Sequence, residues 1–280
     1  MGKLILSAFA DEFSPKFDKQ LEGMKEFGID YIEVRGVDGK NISELTFPEV
    51  KEIKKKADAF DIGFSAVGSP IGKIKLDGDV DAHFEMAKRV FESANILGAD
   101  KIRMFSFYAP EGKNISDCKS EVYENLGKLT DMAESFSVKL CHENEALIYG
   151  ESPESCLEIL NYFGGRLRCV FDMGNFTLDN YDPLKGYAML APHIEYFHIK
   201  DSISAGAIVP PGCGEAKIKE ILTKHTESTD KDTFITLEPH LQTFSGLNAL
   251  VGKSFDNPYK YETPEAAFCD AVIKLKELLK

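Results

Sequence analysis

Eight times along this chain a short apolar run gives way to a longer stretch with helical spacing. The runs cover residues 4–9, 31–34, 63–67, 101–105, 138–145, 167–172, 194–198 and 233–238. Between them apolar residues recur every three or four positions, as in Leu21, Met24 and Phe27, or Val50, Ile53 and Ala57. Apolar runs of this length read as strands, and the 3.6-residue period as helices packed on one face. Strands that alternate with helices build a parallel sheet. Eight such units in 280 residues predict a closed (β/α)₈ barrel, which takes about 250 residues. No composition break or linker divides the chain, so residues 1–280 are expected to form one domain. No Gly-x-Gly-x-x-Gly follows the first strand, which argues against an open, nucleotide-binding sheet.

The helices are expected at about 14–27, 47–60, 80–97, 115–136, 152–163, 183–190, 215–225 and 264–279. Ser14-Pro15 and Ser152-Pro153 read as an N-cap followed by proline in the first turn, and Gly28, Gly98 and Gly164 as stops. A long loop is expected over 239–262.

The strand ends carry the chemistry. Val138-Lys139-Leu140-Cys141 is a strand core, but it runs into His142-Glu143-Asn144-Glu145. A buried carboxylate is costly unless it is paired, hydrogen-bonded or bound to a metal. The sixth run ends in Asp172, the seventh in His198 and the eighth in Glu238. Glu143, Asp172, His198 and Glu238 follow one another at spacings of 29, 26 and 40 residues, each about one βαβ unit. All strand C-termini of a barrel open onto one face, where active sites lie. The four side chains are therefore expected to converge on one divalent cation. Two Glu, one Asp and one His make a hard, oxygen-rich set that suits Mg²⁺ or Mn²⁺ and accommodates Co²⁺ or Zn²⁺.

The formal net charge of −13 disfavours nucleic acid and anionic membrane as partners. No apolar run reaches the roughly 20 residues of a membrane span. Six cysteines without a Cys-x-x-Cys pair read as free thiols of a reducing compartment. The sequence thus predicts a cytoplasmic protein, with a homo-oligomer left open.

The chain resembles the sugar phosphate isomerase/epimerase family, the xylose isomerase-like barrels that also include endonuclease IV. The marks are Phe9-Ala10-Asp11-Glu12-Phe13-Ser14-Pro15, Phe27-Gly28-Ile29-Asp30-Tyr31-Ile32-Glu33-Val34-Arg35 and Gly68-Ser69-Pro70-Ile71-Gly72-Lys73. The second half adds His142-Glu143-Asn144, Asp172-Met173-Gly174-Asn175, His198-Ile199-Lys200-Asp201, Pro211-Gly212-Cys213-Gly214-Glu215 and Leu237-Glu238-Pro239. The resemblance implies one divalent metal on Glu143, Asp172, His198 and Glu238, with Glu143 and Glu238 doubling as acid and base. Relatives often carry histidine three residues after the strand-six aspartate, where this chain has Asn175. Endonuclease IV relatives use three zinc ions and many more histidines than the six present here, so DNA repair is not the expected role.

The expected activity is isomerisation or epimerisation of a sugar, keto-sugar or related polyol. A divalent cation can polarise the carbonyl and stabilise the enediolate, while one glutamate removes the proton alpha to that carbonyl and the other returns one. A dehydratase of the inosose or dehydroshikimate type would use the same cluster. A catalytically silent sugar-binding barrel is the third reading. Candidate substrate contacts are His142, Asn175, Arg103, Lys200, Glu215 and His240. His142 equally suits a core position, Arg103 a pair with Glu33, and Lys200 a pair with Asp201. Glu33 and Arg35 read as an ion pair. Asp172 alone could cap the next helix. Gly212 and Gly214 would let a loop approach a ligand or simply turn, and Phe107, Tyr108 and Phe244 could line the pocket.

Overall fold

A computed structural model describes residues 2–241 and 259–280. Eight parallel strands close into a barrel: β1 (Leu4–Ala8), β2 (Tyr31–Val34), β5 (Gly63–Gly68), β6 (Lys101–Met104), β7 (Lys139–Glu143), β8 (Leu167–Asp172), β9 (Ile194–Ile199) and β12 (Thr233–Leu237). β1 pairs with β12 in register, Leu4 opposite Thr233 and Ala8 opposite Leu237, which joins the two ends of the sheet. Helices α1 (Phe17–Glu26), α2 (Phe47–Ala59), α3 (Val80–Leu97), α4 (Lys119–Ser135), α5 (Pro153–Phe163), α7 (Pro183–Leu190), α8 (Ile218–Ser228) and a C-terminal helix (Pro264–Leu278) flank it.

The local reasons for these elements lie in their ends. Ser152 Oγ accepts the Ser155 amide, Pro153 occupies the first turn, and Gly164 at φ 57° closes α5. Asp79 caps α3 in the same way, and Gly98 ends it at φ 76°. Outward-facing strand residues such as Ile102, Met104, Leu140, Leu167, Phe171, Phe197 and Ile235 are fully buried beneath the helices and belong to one continuous core.

The barrel interior is a separate, smaller cluster of Ala66, Cys141, Val170 and Tyr196, with Phe234 packed against it. Side chains two positions apart on a strand share a face. Two residues beyond Cys141, Val170 and Tyr196 stand Glu143, Asp172 and His198, so the apolar plug of the barrel becomes the floor of a polar mouth.

Several expectations are corrected. The first helix starts at Phe17, not at Ser14-Pro15, because Ser14 Oγ turns back to the Lys16 amide and the Phe17 amide is taken by Asp38. The helix expected over 215–225, α8, starts at Ile218 rather than Glu215, because the preceding loop wraps a buried carboxylate, as described below. Unanticipated elements among the described residues include α6 (Met173–Leu178) and the hairpins β3–β4 (Gly36–Val37, Lys40–Asn41) and β10–β11 (Asp201–Ile203, Ala207–Val209). Most of the long loop expected over 239–262 lies outside the described residues. All six cysteines are free. No helix among the described residues is long and apolar enough to cross a membrane.

Candidate metal centre

Glu143, Asp172, His198 and Glu238 come together at the C-terminal mouth, with one ligand atom from each within 4.8 Å of the others. Each is buried. Strand register does the placing. Asp172 on β8 pairs directly with His198 on β9, and Thr236 on β12 pairs with His198 from the other side. Glu238 follows β12 by one residue, and its amide donates to Ile199.

His198 Nδ1 faces the cluster, 2.8 Å from Glu143 Oε1 and 3.2 Å from Glu238 Oε2. Asp172 divides its oxygens. Oδ1 accepts the Asn175 amide and caps α6, so the capping role seen in the sequence is real. Oδ2 faces the cluster and takes a hydrogen bond from Lys200 Nζ at 2.9 Å. Asn144 holds the same strand end on both sides, donating to the Asp172 carbonyl and accepting its amide.

Three cations thread through these carboxylates. Arg103 Nη1 lies 3.3 Å from Glu143 Oε2 and 3.9 Å from Glu238 Oε1. Arg35 spreads over Asp11, Glu12 and Glu238 at 2.9, 3.1 and 3.0 Å. Lys200 reaches Asp172, Glu238 and Asn175 Oδ1. Phe9 supplies an aromatic wall, with the Arg35 guanidinium 4.2 Å from its ring centre and the His198 ring edge-on at 5.1 Å.

The electrostatics follow from burial against this charge. Burial pushes the Glu143 carboxyl up, but His198 and Arg103 outweigh it and hold it at about 2. Glu238 is likewise held well below the carboxylate range by Lys200, His240 and His198, against its burial. Asp172 goes the other way: burial, with Glu238 and Glu143 adding, keeps it at about 7 in spite of Lys200. Burial lowers His198, but Glu143, Glu33 and Glu238 raise it well above an ordinary histidine.

These groups fit a divalent cation. Glu143 Oε2 and Glu238 Oε2 are buried and, beyond ion-pair contacts at 3.2 to 3.3 Å to Arg103, His198 and Lys200, accept no hydrogen bond among the described residues. Buried acceptors normally make such bonds, so these oxygens keep lone pairs that a cation can use. Glu12, Glu238 and His240 form a second close group, but Arg35 Nη1 stands 3.0 Å from Glu238 and 3.5 Å from His240 Nε2, so that space is already occupied by a cation.

The other expected contacts divide. Arg103, Lys200 and Asn175 border the cluster. Asn175 acts through Lys200 and through its bond to the Asn144 carbonyl. His240 lies on the rim, its Nε2 3.2 Å from Glu12 and 3.4 Å from Glu238. His142 is not in the mouth. It points outward, bonds Ser106 Oγ at 3.0 Å and packs against Gly150, so the core reading holds. Glu215 is exposed and accepts the Ser204 amide, so the structure does not bring it to the cluster. The Glu33–Arg35 pair does not form; nor do Arg103–Glu33 or Lys200–Asp201. Glu33 turns to His198 and Tyr196. Asp201 accepts the amides of Ser202, Gly212, Gly214 and Ala216. A Cβ on Gly214 would stand 2.3 Å from Asp201 Oδ1, so that glycine serves the carboxylate rather than a ligand. Phe107 is buried core, Tyr108 lines a neighbouring groove of about 840 Å³, and Phe244 lies outside the described residues. Sequence reasoning missed Asp11, Glu12 and Tyr196. The first two stood in the Phe9–Pro15 motif, which was their only signal.

The sequence matches the xylose isomerase-like TIM barrel family over residues 21–250. No curated protein matches the chain. Among solved structures, a xylose isomerase-like TIM barrel protein from Mycobacterium smegmatis in complex with magnesium is 14% identical, with TM-score 0.71, over 100% of this chain and 97% of that one. A probable 3-DHS dehydratase, AsbF, from Bacillus anthracis is 17% identical with TM-score 0.72, over 100% and 99%. An L-ribulose 3-epimerase is 17% identical with TM-score 0.73, over 100% and 95%. At such identities the likeness is one of fold.

Proposed function

Because the chain belongs to the xylose isomerase-like TIM barrel family, we propose that it is a divalent-metal-dependent isomerase or epimerase of a polyhydroxylated carbonyl compound, a sugar or keto-sugar. The observation that carries this reading is the meeting of Glu143, Asp172, His198 and Glu238 in one buried group at the barrel mouth. Those four residues would hold Mn²⁺, Mg²⁺, Co²⁺ or Zn²⁺. Once bound, the cation supplies Lewis-acid polarisation of the substrate carbonyl and offsets the negative charge that builds up when the alpha proton leaves.

The protein's own groups do the rest. Glu143 and Glu238 stand on either side of His198 Nδ1, and both are ionised at neutral pH. Either can accept the carbon-bound proton. One carboxylate that returns the same proton to the neighbouring carbon interconverts aldose and ketose. Inversion of the centre needs the second carboxyl to have taken up a proton from water before the cycle; it delivers that proton to the opposite face and is left ionised, while the first keeps the abstracted proton and returns it to water. Arg103 and Lys200 each touch one or both glutamates, so they stabilise the ionised forms and steer where a proton rests. Phe9 and the apolar plug exclude water from below.

The test is proton exchange in deuterium oxide with a panel of free ketoses and Mn²⁺. Exchange of the alpha proton without loss of water is expected, and Glu143→Gln and Glu238→Gln should each abolish it. Full activity in both variants would overturn the acid–base pair. Net loss of water would assign the same cluster to a dehydratase, a reading that the fold likeness to a probable 3-DHS dehydratase also supports. The absence of metal uptake by the wild-type protein would leave a sugar-binding barrel.

A further inference from the structure

His198 has two ring nitrogens, and only one faces the proposed cation. The other, Nε2, lies 3.0 Å from Glu33 Oε2. Glu33 Oε1 in turn accepts the Tyr196 hydroxyl at 2.9 Å. Glu33 and His198 are fully buried and Tyr196 almost so. β2 stands three strands away from β9 in the barrel order, so Glu33 reaches across the interior to make this contact. Two irregularities aim the parts. The register of β2 against β5 slips between Ile32 and Glu33. The register of β8 against β9 slips between Cys169 and Val170, after which Val170 faces Tyr196 and Asp172 faces His198. Bulges of this kind re-aim side chains and gather at functional sites.

We propose that Glu33, braced by Tyr196, is a positioning residue that keeps the proton of His198 on Nε2 and so leaves Nδ1 free to ligate the divalent cation. A neutral imidazole carries one N–H, and the hydrogen bond made by the far nitrogen decides which. A carboxylate on Nε2 accepts that N–H, fixes the ring plane and makes Nδ1 a better donor to the metal. Phe9 and Tyr196 flank the His198 ring at 5.1 and 5.6 Å between centres and leave it little freedom to turn. Arg35 and Arg103 are committed to other carboxylates. The inference rests on the metal-binding reading of the four-residue cluster.

The experiment is calorimetric titration of the purified protein with Mn²⁺, together with ¹⁵N spectra of its histidines, metal-free and loaded with Zn²⁺. Glu33→Ala should weaken Mn²⁺ about 10- to 100-fold, the usual effect of losing such a partner. Glu33→Gln, which keeps an acceptor at the same reach, should bind within about tenfold of wild type. Glu33→Asp, which keeps the charge but draws it back by one methylene, should be as weak as Glu33→Ala. A purely structural carboxylate would give no such order. In wild type the His198 Nε2 proton should be present with and without metal, and in the Zn²⁺ form Nδ1 should carry none. Wild-type affinity in all three variants, or a protonated Nδ1 in the Zn²⁺ form, would overturn the proposal. So would a metal-free wild-type spectrum without the Nε2 proton. A wild-type protein that takes up no cation yet shows that proton would instead overturn the metal reading. Should Glu33→Ala fail to fold, the contrast between the Gln and Asp variants still decides.

Discussion

The Lys200 ammonium sits 2.9 Å from Asp172 Oδ2, on the oxygen that faces the proposed cation. It also lies 3.3 Å from Glu238 Oε2. Lys200 therefore balances the cluster without a metal and repels a cation that enters it. Unit charges a few ångströms apart still interact by about 4 kcal/mol at the effective dielectric of such a site. Part of that is lost to rearrangement. Lys200→Met should bind Mn²⁺ about tenfold more tightly than wild type and turn over more slowly, because Glu238 loses a stabilising neighbour. Weaker Mn²⁺ binding by calorimetry would show that Lys200 organises the ligands rather than opposing the ion.

Metal affinity should rise with pH. Asp172 is held at about 7 by burial, and His198 well above its ordinary value by three glutamates. Both must lose a proton before they ligate, so uptake of the cation releases protons. The affinity should climb by close to tenfold per pH unit for each proton displaced, most steeply below about pH 7, where both protons leave, and less steeply above it, where Asp172 is ionised and only the His198 proton remains to be displaced. Stability of the metal-free protein runs the opposite way. A carboxyl whose folded value is raised favours the folded state below its unfolded value and loses that contribution as pH rises through about 7. Metal-free protein should therefore lose this contribution between about pH 4 and 7, and Mn²⁺ should restore it. Titrations in buffers of different ionisation heat count the protons directly, and a count of zero would refute the scheme.

His142 contributes in the opposite direction and away from the mouth. Burial drags its pKa down to about 4 from 6.5. The unfolded chain binds this proton more readily, so the residue contributes stability above pH 6.5 that is lost as pH falls toward 4. From pH 7 to pH 5 the loss is about 2 kcal/mol. Urea unfolding of wild type and His142→Leu at the two pH values should show that difference in slope. Equal slopes would mean that the ring is solvated or paired as a cation.

The barrel and its four ligands were legible because both are written locally. Glu143, Asp172 and His198 each stand two residues past an inward apolar residue on their own strand, and Glu238 two past Thr236 near the end of β12, so period-two alternation projects all four into the mouth. The pairs among neighbours in sequence were misjudged for the same geometric reason. Glu33 and Arg35 share the inner face but stand one layer apart, so Glu33 meets Tyr196 and His198 while Arg35 meets Asp11, Glu12 and Glu238. Lys200 and Asp201 are adjacent and point to opposite sides. Lys200 enters the mouth, and Asp201 is wrapped by the amides of the loop through Ala216. That loop also delays α8. Contacts across the barrel span more than 150 residues, as with Glu33 and His198, and no local pattern announces them.

Glu195 should separate stability from activity. It is the second residue of β9, at the end of the barrel away from the mouth, where side chains serve the fold rather than the chemistry. Its carboxylate is buried, and Lys139, Arg168 and Lys231 surround it at 3.3, 3.3 and 3.1 Å. Burial alone would raise it, but Lys231 and Lys139 hold it below the ordinary value. Lys139 and Lys231 are more than half exposed, so they return to water easily once the carboxylate is gone, and only part of the pairing energy is at stake. Glu195→Gln should lower stability by about 1 to 2 kcal/mol, less than the loss expected when a fully buried pair is broken. Mn²⁺ affinity and kcat/KM should stay within about twofold of wild type. A larger fall in metal affinity than in stability would show that the two ends of the barrel are coupled through β9, whose last residues include His198.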